Sequence, residues 1–256
     1  MEHIKNKTLI ITGASQGIGE ATARLFAKLG ANVALIARSE EKIKKISTDI
    51  NLDGGTSIAI KCDVSSPDEV KNAIKMTLKS YNAIDILIGN AGVINPIQNI
   101  ADMAVSDFEK VIDVNIKGVW YGIKAVLPHM KNGGTIITIG SGAASNALEG
   151  WSHYCTSKAA VHHLNSCLDL EMRKDLIRAL VLSPGTVATE MQKIIKKSGV
   201  NPVSKMNWSD HISPDWVAKC LIWMCSNQAD DYLGKPFEPK ELLLRIKNIL
   251  QVAFLN

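Results

Sequence analysis

Thr12-Gly13-Ala14-Ser15-Gln16-Gly17-Ile18-Gly19 stands directly behind the apolar run Leu9–Ile11, and its three glycines follow a G-xxx-G-x-G spacing. Glycine lets a backbone turn tightly and come close to a pyrophosphate, whose charge then sits on the N-terminus of the next helix. A glycine-rich turn taken alone also serves an ordinary strand-to-helix connection. This one ends a strand-like run and opens a helical period, so it reads as a dinucleotide cradle made by Gly13, Ser15, Gln16, Gly17, Ile18 and Gly19. Its spacing differs from the more familiar G-x-G-x-x-G.

Outward from the cradle, short apolar runs alternate with longer segments. The runs are Leu9–Ile11, Val33–Ala37, Ile58–Ile60, Ile84–Ile88, Thr135–Ile139 and Ala179–Leu182. Continuous Ile- and Val-rich runs are expected of parallel strands buried on both faces. Between them, Ser66-Pro67-Asp68-Glu69 has the form of a capping box with proline at the first helical position, predicting a helix to about Ser80. Ser106 with Glu109 predicts a second box and a long helix toward Pro128, and another helix is expected from Ser152 to Lys174. Six strand–helix alternations predict one doubly wound, Rossmann-type α/β domain, its mostly parallel sheet flanked by helices on both faces. It is expected to span residues 1–238, with 239–256 as a helical tail carrying an apolar stripe of Leu242, Leu243, Ile246, Ile249 and Leu250. Ligands of such sheets bind beyond the carboxyl ends of the strands.

At the end of the second run, where an NAD site presents an acid about 20 residues after the glycines, this chain has Ala37-Arg38-Ser39. A carboxylate would repel a 2′-phosphate, whereas a guanidinium and a hydroxyl can bind one, which predicts NADP(H) over NAD. Composition excludes several other classes. With 256 residues, 46% hydrophobic, 21% charged and a net charge of +4, the chain has room for a full core and too little positive charge for a nucleic-acid binder. Five cysteines without a CxxC pair suit a reducing cytoplasm, not a disulfide framework or a zinc site. No apolar stretch reaches the ~18 residues of a membrane span, and none is expected to act as a leader.

Tyr154-Cys155-Thr156-Ser157-Lys158, read with the glycine cradle, resembles the classical short-chain dehydrogenase/reductase family over nearly the whole chain. Asp63-Val64 stand where that family contacts adenine. Asn90-Ala91-Gly92 match its NAG motif, although Gly89 precedes them in place of the usual asparagine. Asn115 matches its structural and proton-relay asparagine, and Ser141 precedes Tyr154 at the family's spacing. Pro184-Gly185-Thr186-Val187 with Thr189 resemble the segment that holds the nicotinamide carboxamide. The resemblance implies a catalytic tetrad of Asn115, Ser141, Tyr154 and Lys158, and a homodimer or homotetramer.

Chemistry agrees with those roles. A tyrosine and a lysine four apart share one helix face, so the ammonium and an oxidised nicotinamide are expected to lower the phenol's pKa for general acid/base work. Ser141 would hold the substrate oxygen, and no metal is needed because hydride transfer belongs to the cofactor. His153, Cys155, His162 and His163 lack partners at ligand spacing and read as structural.

The substrate, a small carbonyl or alcohol compound, is expected between Val93 and Ile94, the segment 143–151 with Ala147, Leu148 and Trp151, and a lid over 186–213 with Met191 and Trp208. The family's closing strand runs into Val-Asp-Gly-Gly. Tyr232-Leu233-Gly234-Lys235-Pro236-Phe237-Glu238-Pro239 has no such ending, which bears on the usual tetramer. The alternative function is a non-enzymatic NADPH-binding sensor or subunit. A longer extended-branch epimerase or dehydratase has no room at this length.

Overall fold

Thr8–Thr12 (β1) is buried at every position and lies between two parallel neighbours, Asn32–Ala37 (β2) and Ile86–Gly89 (β4). The computed structural model describes residues 2–237. The sheet grows from that centre. Thr56–Lys61 (β3) pairs with β2, Gly134–Ile139 (β5) with β4, Ile177–Leu182 (β6) with β5, and Pro236–Phe237 (β7) with β6, giving the order β3-β2-β1-β4-β5-β6-β7, all parallel. Strand order reverses between β1 and β4, and that switch point opens a crevice at the carboxyl ends where the cradle lies.

The two faces sort by residue parity. Leu9, Ile11, Val33, Leu35, Ile86 and Ile88 enter one core, while Ile10, Ala34, Ile36, Leu87 and Ile136 enter the other. The first is covered by Gly17–Lys28 (α1), Glu40–Leu52 (α2) and Pro214–Met224 (α8). Helix α1 buries Thr22, Ala23, Phe26 and Ala27, a stripe at helical spacing. The second core is covered by Pro67–Tyr81 (α3), Gly118–Val126 (α5) and Ser152–Met172 (α6). Val105–Ile112 (α4) precedes α5, and Glu190–Ser198 (α7) lies after β6. None of the described helices is long and apolar enough to cross a membrane.

Several local expectations need correction. Ser66 does cap α3, accepting from the Glu69 amide at 3.4 Å, but the Glu69 carboxylate turns to the Asp63 amide at 2.9 Å, so the box is half made. Ser106 caps nothing. The amides of Asp107 and Phe108 both reach Ala104 O, which starts α4 two residues earlier. The helix toward Pro128 is also broken, because Asp113–Lys117 winds as a π turn between α4 and α5. β3 is an edge strand with exposed ends, not one buried on both faces. A seventh strand does form, as a two-residue pairing of Pro236–Phe237 with Val181 and Leu182. The helical tail expected over 239–256 lies outside the described residues.

Arg178 ties β6 to the segment after α8. Its guanidinium donates to Asp230 Oδ1 at 2.6 and 2.8 Å, to Ser226 O at 2.6 Å, to Met224 O at 3.0 Å and to Thr135 Oγ1 at 3.1 Å. Truncation leaves those carbonyls without their donor, so Arg178→Met should lower the free energy of unfolding by about 2–3 kcal/mol in urea titrations. An unchanged midpoint would show that solvent replaces the guanidinium at no cost.

Candidate active site

The cradle closes because its glycines leave no room for anything larger. Gly13 has a φ of 66°, in the left-handed region, and a Cβ on Gly19 would collide with Gly13 O. Asn90 spends its side-chain amide on this loop, donating to Thr12 O at 2.9 Å and Gly13 O at 3.2 Å, while Thr12 Oγ1 accepts from the amides of Asn90 and Ala91 at 3.0 Å. β4 therefore braces the turn after β1. The cleft above has a volume of about 570 Å³ and runs from this cradle to Tyr154. Of the sequence-predicted site residues, Gly13, Ser15, Gln16, Gly17, Ile18, Arg38, Ser39, Asp63, Val64, Asn90, Ala91, Gly92, Ser141, Trp151, Tyr154, Lys158, Pro184, Gly185, Val187, Thr189 and Met191 all line it. Gly19 and Asn115 do not, and sit behind the wall.

At the far end of the cradle, the Arg38 guanidinium is 56% exposed and meets Asp63 Oδ2 at 4.0 Å. Burial works against the Asp63 charge. Hydrogen bonds from the Ser65 amide and hydroxyl, at 3.0 and 2.7 Å, together with Arg38, still hold its carboxyl below the ordinary range. Glu40, two residues past Arg38, is paired with Lys44 at 2.8 Å.

Asn115 lies in the π turn, where the extra residue redirects the helix, a distortion common at functional sites. Its Oδ1 accepts from Val93 N at 2.8 Å, and its Nδ2 donates to Val93 O at 2.9 Å and Ser157 Oγ at 3.0 Å. Both amide hydrogens are thereby spent on joining the loop after β4 to α6. Lys158 is buried and donates to Ile139 O at 2.7 Å, with its Nζ 5.6 Å from the Tyr154 ring centre. Trp151 packs edge-on against Tyr154 at 5.5 Å.

Burial pushes the Tyr154 phenol up to about 12, and the hydrogen bond from Ser141 offsets only part of this. Burial brings Lys158 down to about 8. Desolvation of the phenolate is the largest cause and sets the upward direction in the cofactor-free protein; the lowering expected beside an ammonium and an oxidised nicotinamide concerns the protein with its cofactor. His162, one turn beyond Lys158, is brought to about 4 by burial and by the Lys158 charge.

Beyond Tyr154 the cleft is apolar. Ile94, Ala143, Trp151, Tyr154 and Ile195 form one cluster, with Leu148, Met191 and Val203 against it. Val93 and Ile94 line it as expected. Ala147 does not, facing a separate surface hollow, and Trp208 instead stacks on His211 at 5.5 Å on the outside of the lid. The Val187–Ile212 bridge tethers the lid's ends. Asn95, Ile195 and Val203 were not foreseen. Asn95 comes from a loop whose sequence carries no period, whereas Ile195 on α7 and Val203 in a short 3-10 turn belong to the 186–213 lid, where the helical spacing of Met191 and Ile195 was the available signal. Among the described residues no three His, Cys, Asp or Glu side chains gather into a metal-binding group.

A family profile described as short chain dehydrogenase matches residues 7–198. The chain belongs to the short-chain dehydrogenase family. An uncharacterised oxidoreductase of Staphylococcus saprophyticus is 37% identical over 226 residues, 86% of this chain and 90% of that protein. A 3-ketoacyl-(acyl-carrier-protein) reductase from Brucella melitensis, solved with NADH, superposes with a TM-score of 0.81 at 26% identity, covering 91% of this chain and 96% of that one. A short-chain dehydrogenase from Burkholderia cenocepacia, solved with NADP, gives 0.82 at 26% identity over 92% and 96%. This member of the family is therefore an oxidoreductase of the CH–OH/C=O type that uses a nicotinamide dinucleotide.

The Lys158 environment makes a prediction about stability. Free lysine keeps its proton to 10.5, but folded Lys158 keeps it only to about 8. Between these values the unfolded chain holds a proton that the folded protein does not, so stability rises with pH across that window. The urea midpoint of the cofactor-free protein minus that of Lys158→Met should climb from pH 8 toward 10.5. A flat difference would contradict this environment.

Proposed function

We propose that the chain is an NADP(H)-dependent oxidoreductase interconverting a carbonyl and a secondary alcohol, with Tyr154 as general acid/base. The observation that carries this reading is that Ser141, Tyr154 and Lys158 line one cleft with the glycine cradle. The cradle fits the cofactor, since a Cβ at Gly19 would fill the space the turn needs and the α1 N-terminus faces the cleft. Gly13, Ser15, Gln16, Gly17 and Ile18 would hold the pyrophosphate, Asp63 and Val64 the adenine, and Pro184, Gly185, Val187 and Thr189 the nicotinamide end. Arg38 and Ser39 would take the 2′-phosphate. The largely exposed guanidinium and the neutralised Glu40 support NADP over NAD. When bound, the cofactor supplies the hydride.

The rest of the chemistry is the chain's own. A phenol raised to about 12 keeps its proton at neutral pH, so Tyr154 can donate it to a carbonyl oxygen as that oxygen gains charge. Ser141 holds the same oxygen by its hydroxyl. Lys158 would bind the cofactor's ribose hydroxyls, and its ammonium balances the phenolate left behind. Asn115 is a positioning residue, fixing the Val93 loop against α6. The apolar compartment offers an uncharged, fairly apolar substrate a dry wall of Trp151, Met191 and Ile94. Glu190, at its rim, is paired with Lys193 at 2.6 Å. A sensor without turnover would have no use for the three polar side chains around that compartment.

Five free cysteines support a reducing cytoplasm as the working location. Exposed Val105, Phe108 and Trp120 on α4 and α5 support a homo-oligomer.

Two substitutions test the reading. Tyr154→Phe should lower kcat by about 10²-fold or more while NADPH affinity stays within about twofold; retained turnover would remove Tyr154 from the mechanism. Arg38→Asp should shift the NADPH/NADH preference toward NADH by about tenfold or more, measured as the ratio of kcat/KM values. An unmoved ratio would take Arg38 out of the phosphate site.

A further inference from the structure

Helix α6 carries a third side chain on the face that bears Tyr154 and Lys158. His162 follows Lys158 by one turn, and its Nε2 stands 3.4 Å from Ser141 N and 3.4 Å from Ser183 Oγ. A backbone N–H can only donate, so Nε2 is the unprotonated nitrogen and the ring is the Nδ1–H tautomer. The ring has space because residue 140 is glycine. A Cβ there would collide with Nε2 and lie 2.7 Å from Val181 Cγ1. Lys158 and His162 thus grip successive parts of one strand end, the carbonyl of Ile139 and the amide of Ser141.

Apart from its hydrogen bond to Tyr154, the other ties of Ser141 stay within its own turn, where its carbonyl accepts from Ala144 N at 3.0 Å; His162 meets its amide from outside that turn. The Ser141 backbone is extended, and its Oγ accepts from Ala143 N at 3.1 Å at the mouth of a three-residue turn. We propose that His162 is a positioning residue that fixes Ser141, and so the Ser141 hydroxyl, against the Tyr154 hydroxyl. The contact with Ser183 joins the segment leading into Pro184-Gly185 to the same anchor. The inference rests on the reading in which Ser141 holds the substrate oxygen.

Steady-state kinetics on a ketone that the wild-type chain turns over, with NADPH Kd from fluorescence titration, tests it in His162→Leu, His162→Gln, Ser141→Ala and the Ser141→Ala/His162→Leu double variant. His162→Leu should lower kcat about tenfold, less than losing a direct oxyanion donor, with KM and NADPH Kd within about twofold. His162→Gln, which restores an acceptor oxygen, should recover most of the loss. On top of Ser141→Ala, the leucine should cost less than about twofold more, because the two side chains act as one unit. Wild-type kcat in His162→Leu, no recovery with glutamine, or a full further tenfold loss in the double variant would each overturn the proposal. Should His162→Leu fail to fold, Gly140→Ala pushes the ring off Ser141 without removing it and should show the same kcat defect; wild-type kcat there overturns it too. Full turnover in Ser141→Ala would sink the mechanism on which the inference stands. An inactive Ser141→Ala beside a normal His162→Leu would sink the inference alone.

Discussion

The buried ammonium of Lys158, donating to Ile139 O at 2.7 Å, is the contact around which the site is arranged. A charge cannot be taken out of water without a polar partner, so α6 has to lie where the last carbonyl of β5 can meet it. That fixes Tyr154 one turn earlier, beside the loop after β5 that carries Ser141. It also explains why the protonated lysine is hard to keep, with its pKa brought down to about 8. The π turn serves the same arrangement from the other side. Asn115 spends its amide on Val93 and Ser157, locking the loop after β4 to α6. Two strand ends, those of β4 and β5, are thus joined to one helix by side-chain hydrogen bonds, beside the place where the strand order reverses.

Much of this was legible in the residues. The glycine spacing after Leu9–Ile11, the alternating runs and the Tyr154–Lys158 interval each follow from a local period, and a local period survives folding. What failed had no such period. Ser106 and Glu109 have the letters of a capping box, but the amides of Asp107 and Phe108 close on Ala104 instead. The π turn is an insertion of one residue into a helix, invisible to a 3.6-residue pattern. Sequence spacing shows which charges stand near Tyr154 but not how much water is excluded, and without the cofactor that exclusion sends its pKa upward. His162 reads as one more helix histidine until Gly140 and Ser141 are brought against it.

The cleft divides by polarity in a way that suits two-part chemistry. Its cofactor end is built from backbone amides, Arg38 and a tethered Asp63, a surface for phosphates and hydroxyls. Its other end is aliphatic and aromatic, with Trp151 edge-on to the tyrosine and the lid closing from α7. Low polarity there strengthens each hydrogen bond that reaches a developing alkoxide, so few donors suffice. In the proposed mechanism the same dryness keeps the phenol protonated until the developing alkoxide takes the proton.

The most direct test follows a label through the purified protein. NADPH carrying deuterium at both C4 positions of its nicotinamide is incubated with a panel of ketones and aldehydes, and the products are weighed by mass spectrometry. The account predicts an alcohol carrying one deuterium on the former carbonyl carbon. Tight NADPH binding with no labelled product from any member of the panel would contradict it.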